Sequence, residues 1–339
     1  MLRKISSYIK IGVVCLLITI SCIGMSQDVK VNASENVEDI PQINGKMIYH
    51  TYSDYNERDS KLYIFDFNTK ENICISDKFK DVYNTMNADF STNGSEIIFM
   101  GMIDNKGTEE WDIFRYNIET NKLEDLTKGN KLKDEDPKYS PDGTKIIFKQ
   151  GHWDNVIDKM IYDIVEMDLE TGKMFFVTND IYEDSMPYYS SDGKSVYYTK
   201  VIDKSTQIYK TSLDVARKTT KIYEETGIRC YYPIIYKNTL YFSKWSSVYN
   251  ESDNIQKLDL DTNKLINLTF NSDSYNCSDV CPISDEYAII SSTKPGGKGG
   301  YDLYIADNIT GKTWSLDLLD GEINDNRHQL GAAYFVAEE

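Results

Sequence analysis

The sequence predicts an all-β fold, a six-bladed β-propeller of four-stranded antiparallel blades closed by its C-terminal segment. Three observations predict it. One sentence recurs along the chain: "MNADFSTNGSEIIFMG" (86–101), "DEDPKYSPDGTKIIFKQ" (134–150) and "EDSMPYYSSDGKSVYYTK" (183–200). A strand–turn–strand signature follows each turn sentence or its fainter copies, as in 111–127, 162–178 and 300–316. The turn lysines Lys70, Lys122, Lys173, Lys264 and Lys312 are spaced by 52, 51, 91 and 48 residues, and 91 spans two units. Self-similarity at such a period marks a repeat architecture, and a lone four-stranded sheet must cover both faces by packing on its neighbours.

Each element of the repeat has a local cause. Ser140, Pro141, Asp142 and Gly143 suit the four positions of a type I turn, with the φ of proline preset and glycine last. The runs that follow, "TKIIFK", "SEIIFM" and "SVYYTK", are β-branched and aromatic and read as strands. Fainter copies, such as "INGKMIYHTY" with "KLYIFDFNTKENICIS" and "YYPIIYKNTLYFSKW" with "NIQKLDLDTNKLINLT", complete the count. Units are expected to start near residues 41, 87, 134, 184, 229 and 277, within one domain over 41–339. The tail "NDNRHQLGAAYFVAEE" (324–339) repeats the start of a unit and is expected to pair with the first one. A rudimentary seventh blade is the alternative.

Composition narrows the partners. The apolar fraction of 40% is enough for a sizeable core, and the net charge of −17 repels phosphate backbones. Nucleic acid is therefore not an expected partner. Arg3, Lys4 and Lys10 precede the uncharged run "IGVVCLLITISCIGM" (11–25), and "VNA" ends at Ala33. That is the pattern of a secretory signal peptide over 1–33, followed by a short linker at 34–40. An uncleaved anchor or a lipid on Cys22 are the alternatives. Export implies a secreted or cell-surface location, and the mature chain holds no stretch long enough to span a bilayer. A monomer is expected. Cys74, Cys230, Cys277 and Cys281 remain after cleavage. Cys277 and Cys281 could bridge across a bend, or all four could be free thiols.

The stretch "DEDPKYSPDGTKIIFKQ…YDIVEMDLETGK" and its copy at 183–200 resemble the repeat of TolB-type β-propellers, marked by proline, an aromatic, Ser-Pro-Asp-Gly, a strand and an Asp-Ile strand. The resemblance is strong over 87–200 and looser elsewhere. It implies fold more than function, because such propellers serve as scaffolds, sugar-acting lyases and parts of peptidases. No G-x-S-x-G elbow occurs, so the peptidase role is not expected. The glycine-rich "GGKGG" (296–300) links two strands and reads as a hairpin loop rather than a phosphate cradle.

Chemistry is expected at one end of the ring. The Ser-Pro-Asp-Gly turn joins first to second strands at one end, so residues that enter first strands or leave second strands meet at the other. His50 and His152 follow or end second strands, and His328 lies near the entry of the closing strand. Asn87, Asp134, Asp136 and Asp184 enter first strands. Trp153, Trp245, Tyr55 and Tyr249 fall in loops on that same end, where rings could stack on a sugar or clamp a peptide. The expected function is non-catalytic binding of a protein or a cell-envelope polymer there, without a cofactor. The alternative, implied by resemblance to oligogalacturonate lyases with histidine-held manganese, is a metal-dependent sugar-acid lyase using one divalent ion. Acidic turn formers and ordinary loop histidines would also explain the pattern. Mass spectrometry of exported material should show an N-terminus at Ser34 or within a few residues, whereas an intact Met1 or a lipid on Cys22 would contradict the cleavage.

Overall fold

Strands form where the turn signals bracket β-branched and aromatic runs. The structure, a computed structural model, describes residues 40–103, 110–246, 252–319 and 322–337. The leader expected at 1–33, most of the linker and Tyr249 lie outside them. The strands come in runs. The first holds Lys46–Tyr52 (β1), Lys61–Asp66 (β2) and Asn72–Cys74 (β3). The second holds Val82–Phe90 (β4), Glu96–Ile103 (β5), Asp112–Asn117 (β6) and Leu123–Asp125 (β7). The third holds Lys133–Tyr139 (β8), Lys145–Asp154 (β9), Lys159–Asp168 (β10) and Met174–Phe176 (β11). The fourth holds Glu183–Tyr189 (β12), Ser195–Ile202 (β13), Ser205–Ser212 (β14) and Thr219–Tyr223 (β15). The fifth holds Ile228–Tyr236 (β16), Thr239–Ser246 (β17), Asn254–Asp259 (β18) and Lys264–Asn267 (β19). The sixth holds Cys277–Pro282 (β20), Tyr287–Ser292 (β21), Asp302–Asp307 (β22) and Thr313–Ser315 (β23), and His328–Phe335 (β24) follows it.

Within each run the strands pair antiparallel in chain order. The exception is β24, which pairs with β1, from Tyr52 against His328 to Lys46 against Phe335. The first sheet is therefore ordered β24-β1-β2-β3. The third, fourth and fifth runs also touch through single parallel pairings, Tyr162 with Glu183 and Thr206 with Arg229. The structure is all-β.

The apolar cores lie between consecutive runs, because each sheet offers two faces of alternating side chains. Ile48 and Phe99 share a core between the first and second runs, and Met100 and Phe148 one between the second and third. Ile164 meets Tyr198, Ile208 meets Phe242, and Tyr241 meets Ala288 in the next three. The last joins the sixth run back to the first, through Ile289 and Leu303 against Met47 and Phe65. Each fully buried side chain of this size contributes about 1.5–3 kcal/mol over exposure.

The turn sentence folds as its residues dictate. In "SPDG" the Gly143 N–H donates to the Ser140 carbonyl at 2.8 Å, and Asp142 Oδ1 accepts from Ser140 Oγ and the Thr144 N–H. Ser190, Asp192 and Gly193 repeat this pattern. In the third copy Asn93 replaces the aspartate and accepts the same bonds from Ser91 and Ser95. Glycine is required at the last position, where φ is +68° to +71°.

A second repeated device sits in the inner strand of every run. Asn87, Asp136, Met186, Tyr232, Asp279 and Gly331 all have left-handed φ, between +48° and +62°. Strand register shifts across each of them. They are β-bulges, which bend the strand and re-aim one side chain. Asn, Asp and Gly tolerate this backbone, whereas Met186 and Tyr232 carry strain of about 1–3 kcal/mol each.

A third device recurs in all the runs but the fourth. The N–H groups of Leu62, Ile113, Ile164, Ile255 and Leu303 donate to Ser76, Thr127, Thr178, Asn271 and Asn324 side-chain oxygens at 2.7–3.0 Å. Two residues before the bulge, the next inner strand supplies a buried group, such as Thr85 on Ser76 at 2.6 Å. All four cysteines of the described residues are free thiols, with Cys230, Cys277 and Cys281 buried.

The bulge and its neighbours can be tested at two glycines. A Cβ on Gly331 would lie 2.5 Å from His50 Cε1, whereas Gly129, with φ +75°, has nothing within 4 Å. Denaturant unfolding should show Gly129→Ala costing about 1 kcal/mol for backbone strain alone. Gly331→Ala should cost at least ~2 kcal/mol more from the clash.

Candidate functional site

The site is built at the strand ends remote from the Ser-Pro-Asp-Gly turns, here termed the entry end. β8 begins there at Lys133, opposite Gly151 of β9, and β24 begins there at His328, opposite Tyr52 of β1.

Each candidate residue has a definite place. His50 on β1 is 4% exposed, its ring lies against Gly331, and its Nδ1 accepts from the Asn87 N–H at 3.4 Å. Burial, reinforced by nearby Lys138, lowers its pKa to about 3, so it is a neutral packing residue. His328 accepts from the Tyr301 N–H at 3.3 Å, and its ring is 5.2 Å from that of Tyr52, which stacks on His50 at 5.9 Å. The structure thus brings His50 and His328 to one aromatic cluster. His152 lies elsewhere, half-buried on β9 opposite Ile161 and close enough to Asp163 to stabilise its charge.

The carboxylates divide in the same way. Asp134 and Asp184 are fully buried and face their own sheets. Asp134 accepts from Gln150 Nε2 at 2.9 Å and Asn130 Nδ2 at 2.6 Å. Asp184 pairs with Lys200 at 2.9 Å, and Lys200 also reaches Asp180 at 2.6 Å. Burial pushes both carboxyls up to about 6. They join one run to the next and do not reach a surface ligand. Asp136 does face the centre, from its bulge, where its Oδ1 accepts from Asn87 Nδ2 at 2.6 Å. Trp153 is exposed, and Trp245 is half-buried under the guanidinium of Arg229 at 5.7 Å.

At the centre, all six bulge residues line one narrow cavity of about 50 Å³, room for only a few water-sized groups. Neighbouring bulges touch: the Tyr232 N–H meets the Met186 sulfur at 3.3 Å, and the Gly331 N–H donates to Asp279 Oδ2 at 3.1 Å. Lys138 lines the same cavity, within electrostatic reach of Asp89 and Asp279. Burial pushes the Asp279 carboxyl up to about 6, against the opposing pull of its Gly331 bond. Tyr52 and Tyr301 approach Asp279 from the entry end, and the Tyr301 hydroxyl donates to Asp253 at 2.9 Å.

Beside this mouth lies a polar cleft of about 460 Å³ lined by Tyr55, Arg58, Trp111, Glu135, Lys149 and Tyr162 among others. Lys149 is its hub. Its Nζ is 2.9 Å from Glu135, 3.3 Å from Glu183 and 4.0 Å above the Tyr162 ring. Burial alone would lower the Lys149 pKa, but Glu135, Asp136 and Glu183 outweigh it and hold the amine charged. Tyr162 fits only because residue 151 is glycine, since a Cβ there would lie 2.4 Å from the ring. Sequence reasoning missed Lys149, Glu135 and Tyr162 as one unit. The available signal was a lysine inside the apolar run "TKIIFKQ", one turn of the pleat from a glycine.

The alternative of a divalent ion needs convergent ligands. Among the described residues no three His, Cys, Asp or Glu side chains are arranged to hold one. His50 and His328 each already accept a backbone N–H through Nδ1, and His152 stands apart on another run. The residues present do not fit the metal.

No protein-family model and no curated protein sequence matches the chain. Solved structures do. TolB from Acinetobacter baumannii is 16% identical, with a TM-score of 0.64 over 87% of this chain and 67% of that one. Hydrazine synthase of Kuenenia stuttgartiensis is 13% identical, with a TM-score of 0.66 over 88% of this chain and 47% of that one. Oligogalacturonate lyase from Vibrio parahaemolyticus is 12% identical, with a TM-score of 0.54 over 82% and 80%. Likeness at such identities concerns the fold and leaves function open. With its repeated turn, its inner-strand bulges and these neighbours, the chain has the TolB-like β-propeller fold.

Proposed function

We propose that the chain is an exported propeller of six blades, closed by β24 on β1, that works as a non-catalytic binding module. It takes a protein or a cell-envelope glycan on its entry end, as a monomer, after cleavage near Ala33. The six-bladed, closed reading is supported by the succession of cores, the last of which returns from the sixth run to the first. The shared cavity of six bulge residues supports it independently.

One observation carries the binding role. The polar groups of the entry end are engaged with one another rather than poised for chemistry: Lys149 is held by two glutamates, and His50 and His328 accept backbone N–H bonds. Around them stand exposed rings, Tyr55 and Trp153, which suit recognition. A lyase needs a base within reach of an acidified proton. His50 is too deeply buried to meet a substrate, and no ligand set accompanies it among the described residues.

Elemental analysis of the purified protein, followed by a panel of uronides and envelope glycans, tests the proposal. The expected result is no stoichiometric divalent metal and no turnover, with saturable binding that Trp153→Ala or Tyr55→Ala weakens. A retained metal together with uronide cleavage would replace the binding module with the lyase.

A further inference from the structure

The chemistry of the entry end points to a class of partner, on the reading that this end is the binding face. We propose that it receives a protein segment carrying a lysine or arginine beside aliphatic side chains. The cationic head sits at the mouth of the central cavity, among Tyr52, Tyr55, Tyr232, Asp136 and Asp279. The aliphatic side chains rest on the rim beside it.

The mouth is an aromatic and anionic seat. Tyr52 and Tyr55 meet edge to face with ring centroids 6.5 Å apart. Tyr232 lies within electrostatic range of Asp279, Asp136, Tyr52 and Tyr55 together. Ring faces and carboxylates in one place favour a cation, worth more as water is displaced. The cavity below carries Asp136 and Asp279 against a single lining ammonium, Lys138, which Asp89 also faces. Its volume of about 50 Å³ suits an ammonium or guanidinium head and is too narrow for a sugar ring.

The rim argues for protein over glycan. Val156 is 92% exposed and Ile181 59%, beside exposed Ile157, Trp153 and Tyr182. These belong to the β9–β10 hairpin and the segment entering β12. They connect to Tyr55 through Lys149, which pairs with Glu183 next to Tyr182. Scattered exposed apolar side chains are ordinary, but several aliphatic and aromatic groups gathered at the same strand ends mark an interaction surface. A sugar would use the ring faces and leave Val156, Ile157 and Ile181 without a role. Charge complementarity then selects a basic segment, since the chain carries a net −17.

The experiment uses the full chain and three probes: a short peptide of alternating lysine and leucine bearing a photo-crosslinker, its glutamate–leucine counterpart, and a chitin oligomer. The lysine–leucine peptide should bind and crosslink to 52–58, 153–157 or 181–182. Asp136→Asn combined with Tyr55→Ala should weaken it about tenfold, and Val156→Ser with Ile181→Ser by a similar factor. Glu170→Gln, on an exposed turn at the opposite end, should change nothing, and thermal melts should show every variant folded. Equal binding of the glutamate peptide, crosslinks confined to the Ser-Pro-Asp-Gly end, or indifference of folded mouth variants would each overturn the proposal. Binding of the chitin oligomer alone, lost in Trp153→Ala, would overturn the partner class while leaving the binding-module reading standing. Turnover in the uronide panel would instead remove that reading.

Discussion

The left-handed bulge in each inner strand is the constraint on which the rest of the structure depends. An unbroken antiparallel ladder would carry its side chains past the centre of the molecule in strict alternation. One residue at positive φ breaks that alternation and turns Asn87, Asp136, Met186, Tyr232, Asp279 and Gly331 onto a common cavity. Neighbouring bulges also bond one another: the Gly331 N–H donates to the Asp279 carboxylate, and the Asn87 side-chain amide donates to the Asp136 carboxylate. Strain at Met186 and Tyr232 persists because the packed runs on either side over-determine the backbone. Both line the central cavity, so the backbone conformation that is hardest to hold helps to shape it.

Buried charge follows from the same geometry. Each inner strand begins beside the capped third strand of the run before it, and the group placed there is sealed from water. Where that group is a carboxylate it needs partners, and Asp134 finds two amides while Asp184 finds Lys200. Where it is Cys230 or Cys277 it needs none, and both thiols are buried. Lys149 and Lys200 illustrate two outcomes of putting a lysine on a second strand. One lines a polar cleft with two glutamates, and the other closes an ion pair with Asp184 and Asp180. A buried pair of this kind adds little net stability but is costly to break on one side only.

The fold was legible because its signals are local. A type I turn is written in four residues, and the strands after it in six, so "SPDG" followed by "TKIIFK" needs no tertiary knowledge. The bulges were half-written. Pro137, Pro187 and Pro233 follow three of them, and proline inside a strand is confined to bulges or edges. Asn87, Asp279 and Gly331 have no such flag. The site was less legible, because burial is not local. His50 in "MIYHTY" reads as a strand-end residue open to solvent, yet Gly331, 281 positions away, leaves room for its ring and seals it. Asp134 and Asp184 read as loop carboxylates at a mouth, and only the preceding run reveals that they are covered. Trp153 and Trp245 were read as loop residues, but both lie inside second strands, Trp153 exposed opposite Met160 and Trp245 opposite Arg229, because the β9–β10 and β16–β17 ladders run further than their apolar patterns.

The pairing of β24 with β1 has a consequence in time. The Tyr334 hydroxyl meets the Asn44 carbonyl across 290 positions of sequence, and the strands around them form the first sheet. A chain emerging in order can complete the second to sixth runs as they appear, but β1 waits with one edge open until residues 328–335 are available. An open edge invites foreign pairing. Contacts of such high sequence separation are also made late. Until residues 328–335 emerge, β1 therefore keeps an open edge while the strands after it are already paired. Its cooperativity is that of a clasp, in which residues 328–335 determine whether β1 is protected.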